Sequence, residues 1–250
     1  MSNLFHKKSG SGPPIILLHG FCETHDIWDG FSESLATDFS VFSFDLPGFG
    51  QSNLITPLSI DTVAQRLIEE LESLKVKHSI IIGHSLGGYV ALAMQQAAPE
   101  LFAGLVLFQS TVFADTEEKK ANRNKTIEFV HQYGVAPFVD TFVPNLFHQK
   151  EHAAVPGVRD MALKTSLETL VQYSAAMRDR PARDQINAFD MLILAGRFDA
   201  IIPISVSEQI AALSGRATLK VLEFSGHMGM LEDREECLKS IRDFSLPRLV

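Results

Sequence analysis

Gly83-His84-Ser85-Leu86-Gly87 sets one serine between two glycines. An apolar run, Ser79-Ile80-Ile81-Ile82, precedes it and a helix-forming run, Tyr89 to Ala98, follows. Strand, sharp turn and helix is the context in which G-x-S-x-G makes a nucleophile elbow. The turn forces the serine backbone into a strained conformation, and the flanking glycines let the chain close around it. Ser85 Oγ would then stand above the sheet edge, with a helix N-terminus beneath it to favour developing negative charge. Gly88 extends the pattern to G-H-S-L-G-G. The plainer reading is a tight turn around an inert serine.

A serine hydroxyl is a weak nucleophile until a base takes its proton and a third group orients that base. Met191-Leu192-Ile193-Leu194-Ala195 reads as a short buried strand leading into Gly196-Arg197-Phe198-Asp199. Thr218 to Phe224 alternates like a strand and ends at Ser225-Gly226-His227. The order Ser85, Asp199, His227 is one of the known orders of a Ser-His-Asp constellation. No acid stands just after the strand Phe102 to Phe108, where Gln109, Ser110 and Thr111 follow, and Asp199 is the candidate acid; its plainer reading is a loop acid capping a turn.

With His19-Gly20-Phe21 after the first long apolar strand and Asp45-Leu46-Pro47-Gly48-Phe49-Gly50-Gln51-Ser52 after the next, these motifs stand in one order along nearly the whole chain. The chain resembles the α/β-hydrolase fold superfamily, specifically its small, soluble, esterase-like branch with a cap. The resemblance implies an oxyanion hole built from the backbone N–H of Phe21 and that of Leu86, the residue after the nucleophile. It also implies a helical cap after the sixth strand of the family's sheet.

Composition sets limits. At 250 residues, 46% hydrophobic and 21% charged, the chain has room for one well-buried α/β core. A net charge of −8 argues against nucleic acid or an anionic membrane as a main partner. The start, Met1 to Lys8, lacks the apolar segment of a signal peptide, and no run approaches the ~20 apolar residues of a membrane span. Cys22 and Cys237 read as reduced thiols, which suggests the cytoplasm. The nine histidines are scattered without metal-ligand spacing, so neither a metal nor a cofactor is expected. Nothing in the sequence sets the oligomeric state.

The elements that must position the site follow from apolar runs and breakers. Leu4 to Lys8 and Pro14 to Leu18, joined by Ser9-Gly10-Ser11-Gly12, read as a hairpin opening the sheet. Phe39 to Phe44 is a further strand, Ile60 to Leu74 an amphipathic helix, and Glu232 to Phe244 a closing helix. Alternating strands and helices imply an α/β, doubly wound, mostly parallel sheet with helices on both faces. The alternation stops from residue 111 to 187. The expected division is therefore a hydrolase core over 1–110 and 188–250 and a helical cap over 111–187, with helices at Thr116 to Gln132 and Val158 to Met177. One more set of packing helices is the plainer reading of that stretch.

A cap would shape an apolar pocket and exclude water. Phe129, Phe138, Phe142, Phe147 and Met177 are candidates to line it, with Cys22 and Met228 beside the site. The plainer reading of each phenylalanine and of Met177 is a core residue; Met228 reads equally either way. His84 is expected to hydrogen-bond under the elbow, His19 to tie the oxyanion loop, Asp45 to shape its own loop, and Trp28 to pack behind the oxyanion loop. Arg123, Arg159, Arg178 and Arg180 are expected at the solvated surface.

The expected activity is hydrolysis of a small to medium, largely apolar carboxylic ester through an acyl-enzyme on Ser85. Related scaffolds with an aspartate nucleophile are excluded by the serine. Carbon–carbon bond and enol-lactone hydrolases share the triad, and an Arg or Lys holding a substrate carboxylate would point to them. A slow-turnover ligand sensor on the same scaffold is the non-enzymatic alternative.

Overall fold

The computed structural model describes residues 4–249; the leader reading of Met1 to Asn3 lies outside them. Seven strands form one sheet: β1 (His6–Ser9), β2 (Pro14–Leu18), β3 (Ser40–Phe44), β4 (Ser79–His84), β5 (Phe102–Phe108), β6 (Met191–Gly196) and β7 (Ala217–Leu222). Their order across the sheet is β1-β3-β2-β4-β5-β6-β7, and all pairings are parallel except β1 with β3. Ten helices accompany them among the described residues: α1 (Phe31–Leu35), α2 (Ile60–Ser73), α3 (Leu86–Ala97), α4 (Glu117–Tyr133), α5 (Val135–Phe142), α6 (Val155–Ala162), α7 (Leu167–Asp179), α8 (Ile204–Ala212), α9 (Gly229–Glu232) and α10 (Arg234–Leu249).

Strands β3, β4 and β6 are buried along their whole length, as expected of parallel strands covered on both faces. Helix α2 buries one stripe, Val63, Ala64, Leu67, Ile68 and Leu71, and begins at a capping box in which the Ser59 hydroxyl accepts from the Thr62 amide. Helix α3 is buried from Leu86 to Gln95, which suits an apolar helix behind the centre of the sheet.

Parallel winding runs outward from β2 to β3, then reverses to place β4 on the other side of β2. Loops leaving β2 and β4 therefore diverge at a topological switch point, where open α/β sheets form their ligand crevice. Leu18 pairs with Gly83, so the loop starting at His19 and the turn at Ser85 lie side by side.

The expected opening hairpin is not formed: β1 pairs antiparallel with β3, His6 opposite Phe44, and β3 separates β1 from β2. Gly10 and Gly12 explain the difference. With φ of 70° and 121° they carry the chain under the backbone of Ala36 to Phe39, where a Cβ on Gly10 would collide with the Ala36 and Phe39 carbonyls. Two helix readings also change. The single helix expected over Val158 to Met177 is two, α6 and α7, because the Ser166 hydroxyl caps a new start by accepting from the Thr169 amide. Strand β7 ends at Leu222, and the closing helix, α10, starts at Arg234 and runs on to Leu249, preceded by the short α9.

Helices α4 to α7 lie between β5 and β6 and pack on loops at the C-terminal edge of the sheet. The Tyr173 hydroxyl donates to Pro47 O (2.9 Å), the Thr169 hydroxyl to Gly48 O (3.1 Å), and the His227 amide to Leu146 O (2.6 Å). Among the described residues no helix is long and apolar enough to cross a membrane.

Candidate active site

Ser85 sits between β4 and α3 with φ 49° and ψ −111°, a conformation a side-chain-bearing residue adopts only when its surroundings impose it. Close packing imposes it here. A Cβ on Gly83 would strike the backbone of Gly87 and Gly88, and one on Gly87 would strike the Leu18 carbonyl. The Ser85 amide donates to Phe108 O (3.0 Å), and its carbonyl accepts from the Gly88 amide (3.0 Å) and the Ser110 hydroxyl (2.7 Å). The turn is fixed from both sides, and Ser85 itself keeps partial exposure.

His227 and Asp199 meet through Nδ1 and Oδ2 at 2.7 Å, both buried. The other carboxylate oxygen, Oδ1, accepts from the amides of Ile201 (2.8 Å) and Ile202 (2.9 Å). A carboxylate accepts only, so Nδ1 of His227 carries the proton. In the neutral ring Nε2 is then the basic nitrogen. Asp199 is fixed by two backbone donors and in turn fixes the tautomer of His227.

The loop after β2 carries Phe21. His19 Nε2 accepts from the Leu46 amide (3.0 Å), so its Nδ1 donates to Gly20 O (2.8 Å), tying the loop as expected. Burial outweighs the neighbouring acids and holds the His19 pKa below the ordinary imidazole value, which keeps that tautomer neutral. Among the described residues neither the Phe21 nor the Leu86 amide has a hydrogen-bond acceptor, although both residues are buried. The Leu86 amide is one of the first-turn donors of α3 that have no partner within the helix, and both amides are open to an acceptor.

Three polar side chains that the motifs did not single out hold these loops together. Glu23 Oε2 accepts from the Gly20 amide (2.7 Å) and from His84 Nδ1 (3.1 Å), while His84 Nε2 lies 2.9 Å from His227 O. Glu232 Oε2 accepts from the amides on either side of His227, Gly226 (2.9 Å) and Met228 (3.2 Å), and its Oε1 accepts from the His148 amide (2.7 Å). Gln109 donates to Gly226 O and accepts from the Gly229 amide (2.8 Å). A glutamine thus fills the position after β5 where an acid was sought, and it braces the histidine loop. Glu23 stands out only by its burial, and Glu232 only by its backbone partners, neither of which the sequence displays.

A cleft of about 420 Å³ lies beside this site, lined by Phe129, Pro137, Phe138, Thr141, Phe142, Asn145 and Ile201. Phe138 and Phe142 stack at 5.0 Å and both meet the Phe21 ring edge-on, at 6.2 and 6.1 Å. Phe138, Phe142 and Phe129 come together in this cleft. Met177, Met228, Cys22 and Phe147 are buried and do not line this cleft. Burial raises the Cys22 thiol pKa far above its ordinary value, so it holds no thiolate. Asp45 accepts from the His25 and Gln51 amides, the loop-shaping role expected of it. Trp28 is buried with its ring near Phe31, His84 and Phe108.

Of the four arginines, Arg180 departs from expectation. It is buried, with Nη1 on Asp115 Oδ1 (2.9 Å), Nη2 on Phe113 O (3.0 Å) and its guanidinium 3.8 Å from the Tyr89 ring centroid. Arg123 also reaches Asp115, Arg159 reaches Asp140, and Arg178 reaches Asp179. Each is held by a carboxylate, and none lines the cleft.

Known proteins agree with this architecture. The thermophilic esterase of Thermogutta terrifontis superposes with a TM-score of 0.93 at 27% identity, covering 99% of this chain and 94% of its own. A hydrolase from Pseudomonas aeruginosa does so with a TM-score of 0.89 at 25% identity, covering 96% and 93%. The pimeloyl-[acyl-carrier protein] methyl ester esterase of Pseudoalteromonas atlantica is 26% identical over 258 residues, 95% of this chain and 96% of that protein. The family model of the alpha/beta hydrolase fold matches residues 13–234, and the chain belongs to that family.

Proposed function

We propose that the protein is a serine esterase that cleaves small to medium, largely apolar carboxylic esters. The observation that carries the reading is the buried Asp199–His227 hydrogen bond, in a loop bonded through His227 O to the residue preceding the strained Ser85. His227 Nε2 takes the Ser85 proton as Oγ attacks the ester carbonyl carbon, and the oxyanion that forms is met by the Phe21 and Leu86 amides. The imidazolium then protonates the departing alcohol, leaving an acyl-enzyme. Water, deprotonated by the same histidine, attacks the acyl carbon and releases the acid and Ser85. Losing one oxyanion donor costs about 100- to 1000-fold in kcat.

Substrate class follows from the cleft. Its wall of three phenylalanines, a proline and an isoleucine offers apolar surface and no charge. A carbon–carbon bond or enol-lactone substrate with a carboxylate would need a free cation, and the five arginines between β5 and β6 are all paired with acids. Lys164 borders a separate cavity of about 290 Å³ that it shares with Asp26 and Asp45, so that cavity is no simple anion site. The curated relative named above is a methyl ester esterase, in keeping with ester chemistry.

Residues 111–187 act as the cap on this reading, with Phe138 and Phe142 as its contribution to the acyl or alcohol side. Cys22 and Cys237 are free and buried, in keeping with a reducing compartment such as the cytoplasm. The test is hydrolysis of p-nitrophenyl esters of graded acyl length. Turnover with an optimum at short to medium chains is expected; a folded protein with no turnover across the panel overturns the assignment and favours the slow sensor.

A further inference from the structure

Beneath the nucleophile lies a contact that the triad does not require. Glu23 and His84 are both buried, and their side chains join three loops of the site: the Gly20 amide donates to Glu23 Oε2, His84 Nδ1 meets the same oxygen, and His84 Nε2 meets the carbonyl of His227. The carbonyl of His227 can only accept, and Glu23, held below the ordinary carboxyl pKa because His84 outweighs burial, meets Nδ1 as a carboxylate, which also only accepts. Each nitrogen must donate, so the ring is an imidazolium paired with the Glu23 carboxylate.

The pair is buried, with aromatic rings on one side and His19, Asp199 and His227 nearby. The His84 ring meets Trp28 and Phe108 edge-on at 6.4 and 5.9 Å, and lies 5.1 Å from the His227 ring. An ion pair in such a place costs desolvation that an apolar pair of similar volume would avoid, so stability alone is a poor reason for it. Geometry supplies a better one. Glu23 lies two residues after Phe21, His84 one residue before Ser85, and the far end of the chain of hydrogen bonds is the backbone of the base. Gly20 fits against both partners: a Cβ there would approach His84 Nδ1 to 2.7 Å and Glu23 Oε1 to 2.8 Å.

We propose that Glu23 and His84 are positioning residues, an ion pair that locks the oxyanion loop and the histidine loop to the elbow so that donors, nucleophile and base keep one relative placement. The proposal rests on the serine-esterase reading. Displacements of about 1 Å in such a constellation cost on the order of 100-fold in rate, whereas ground-state binding in the cleft is untouched.

The test is Glu23→Gln, with kcat expressed per active site titrated by a fluorophosphonate, together with ¹⁵N and ¹³C NMR of the His84 ring. The expected result is a kcat lowered by about tenfold or more with KM changed by less than about threefold. His84 should show two protonated nitrogens near neutral pH in the wild type and one in the variant. Where Glu23→Gln does not fold, Glu23→Asp keeps the charge but shortens the reach, and the same loss of kcat is expected. A folded variant with wild-type kcat per titrated site overturns the proposal, as does a wild-type His84 with a single protonated nitrogen. An unlabelled wild type sinks the serine reading and its catalytic consequence together; a labelled wild type with a fully active Glu23→Gln sinks the pair alone.

Discussion

The amide of His227 donates to the carbonyl of Leu146 at 2.6 Å, so the backbone of the candidate base is bonded directly to the helical segment between β5 and β6. Glu232 repeats the tie by accepting from the His148 amide on one side and from Gly226 and Met228 on the other. Gly226 makes the close approach possible, because a Cβ there would meet the backbone of Leu146, Phe147 and His148.

Gly226→Ala should therefore push the histidine loop off that segment. A displacement of this kind is expected to lower kcat by about 100-fold while far-UV circular dichroism stays unchanged. Steady-state kinetics on a p-nitrophenyl ester checks it, and a wild-type rate would show that the contact does not set the position of His227.

Asp199→Asn keeps the shape of the acid but presents an amide that can no longer hold His227 in the productive tautomer. A kcat loss on the order of 10⁴ is expected, with KM little changed. Retention of more than a tenth of the rate would show that another group orients the base.

Phe142→Ala opens the cleft beside Phe21. Longer acyl chains should gain relative to short ones in kcat/KM, by about 1–3 kcal/mol for each methylene newly accommodated. An unchanged chain-length profile would place the substrate elsewhere.

The buried pair gives a pH signature. Burial opposes charge on His84, but the Glu23 carboxylate outweighs it and raises the pKa above the ordinary 6.5; burial likewise opposes charge on Glu23, but His84 outweighs it and lowers the pKa below the ordinary 4.5. A raised imidazole stabilises fully below its ordinary value and loses that contribution as pH rises through the folded-state value. A lowered carboxyl stabilises fully above its ordinary value and loses that contribution as pH falls through the folded-state value. The difference in thermal stability between wild type and Glu23→Gln should thus be greatest between 4.5 and 6.5 and shrink on both sides. His19, Asp199 and His227 surround the pair in both proteins and largely cancel from the difference. A difference flat with pH would contradict the charge assignment.

Arg180→Ala leaves Asp115 buried with only the more exposed Arg123 to pair with. Stripping one partner from a buried ion pair costs about 3–5 kcal/mol, and the remaining arginine places the expected loss near the lower end. Urea denaturation reads it directly.

Much of this was legible in the sequence because the candidate catalytic groups sit at the ends of strands, where apolar runs stop and the next residues must do something else. Ser85, Asp199 and His227 were marked by such ends. The order of the strands was less legible: Gly10 and Gly12 suggested a turn, and only their packing on Ala36 to Phe39 shows that they pass beneath the segment leading into β3. Glu23, Gln109 and Glu232 were invisible for another reason. Their partners are backbone groups 3 to 120 residues away, and no local periodicity encodes such a contact. Arg180 read as a surface charge because its partner, Asp115, lies 65 residues earlier in the chain.

Fluorophosphonate labelling of the purified protein beside Ser85→Ala, with the adduct mapped by mass spectrometry of peptides, tests the central claim most directly. The account predicts one adduct, on Ser85, absent from Ser85→Ala and formed far more slowly in His227→Ala. A folded wild type that takes no label, or a Ser85→Ala protein labelled as fast as wild type, would contradict it.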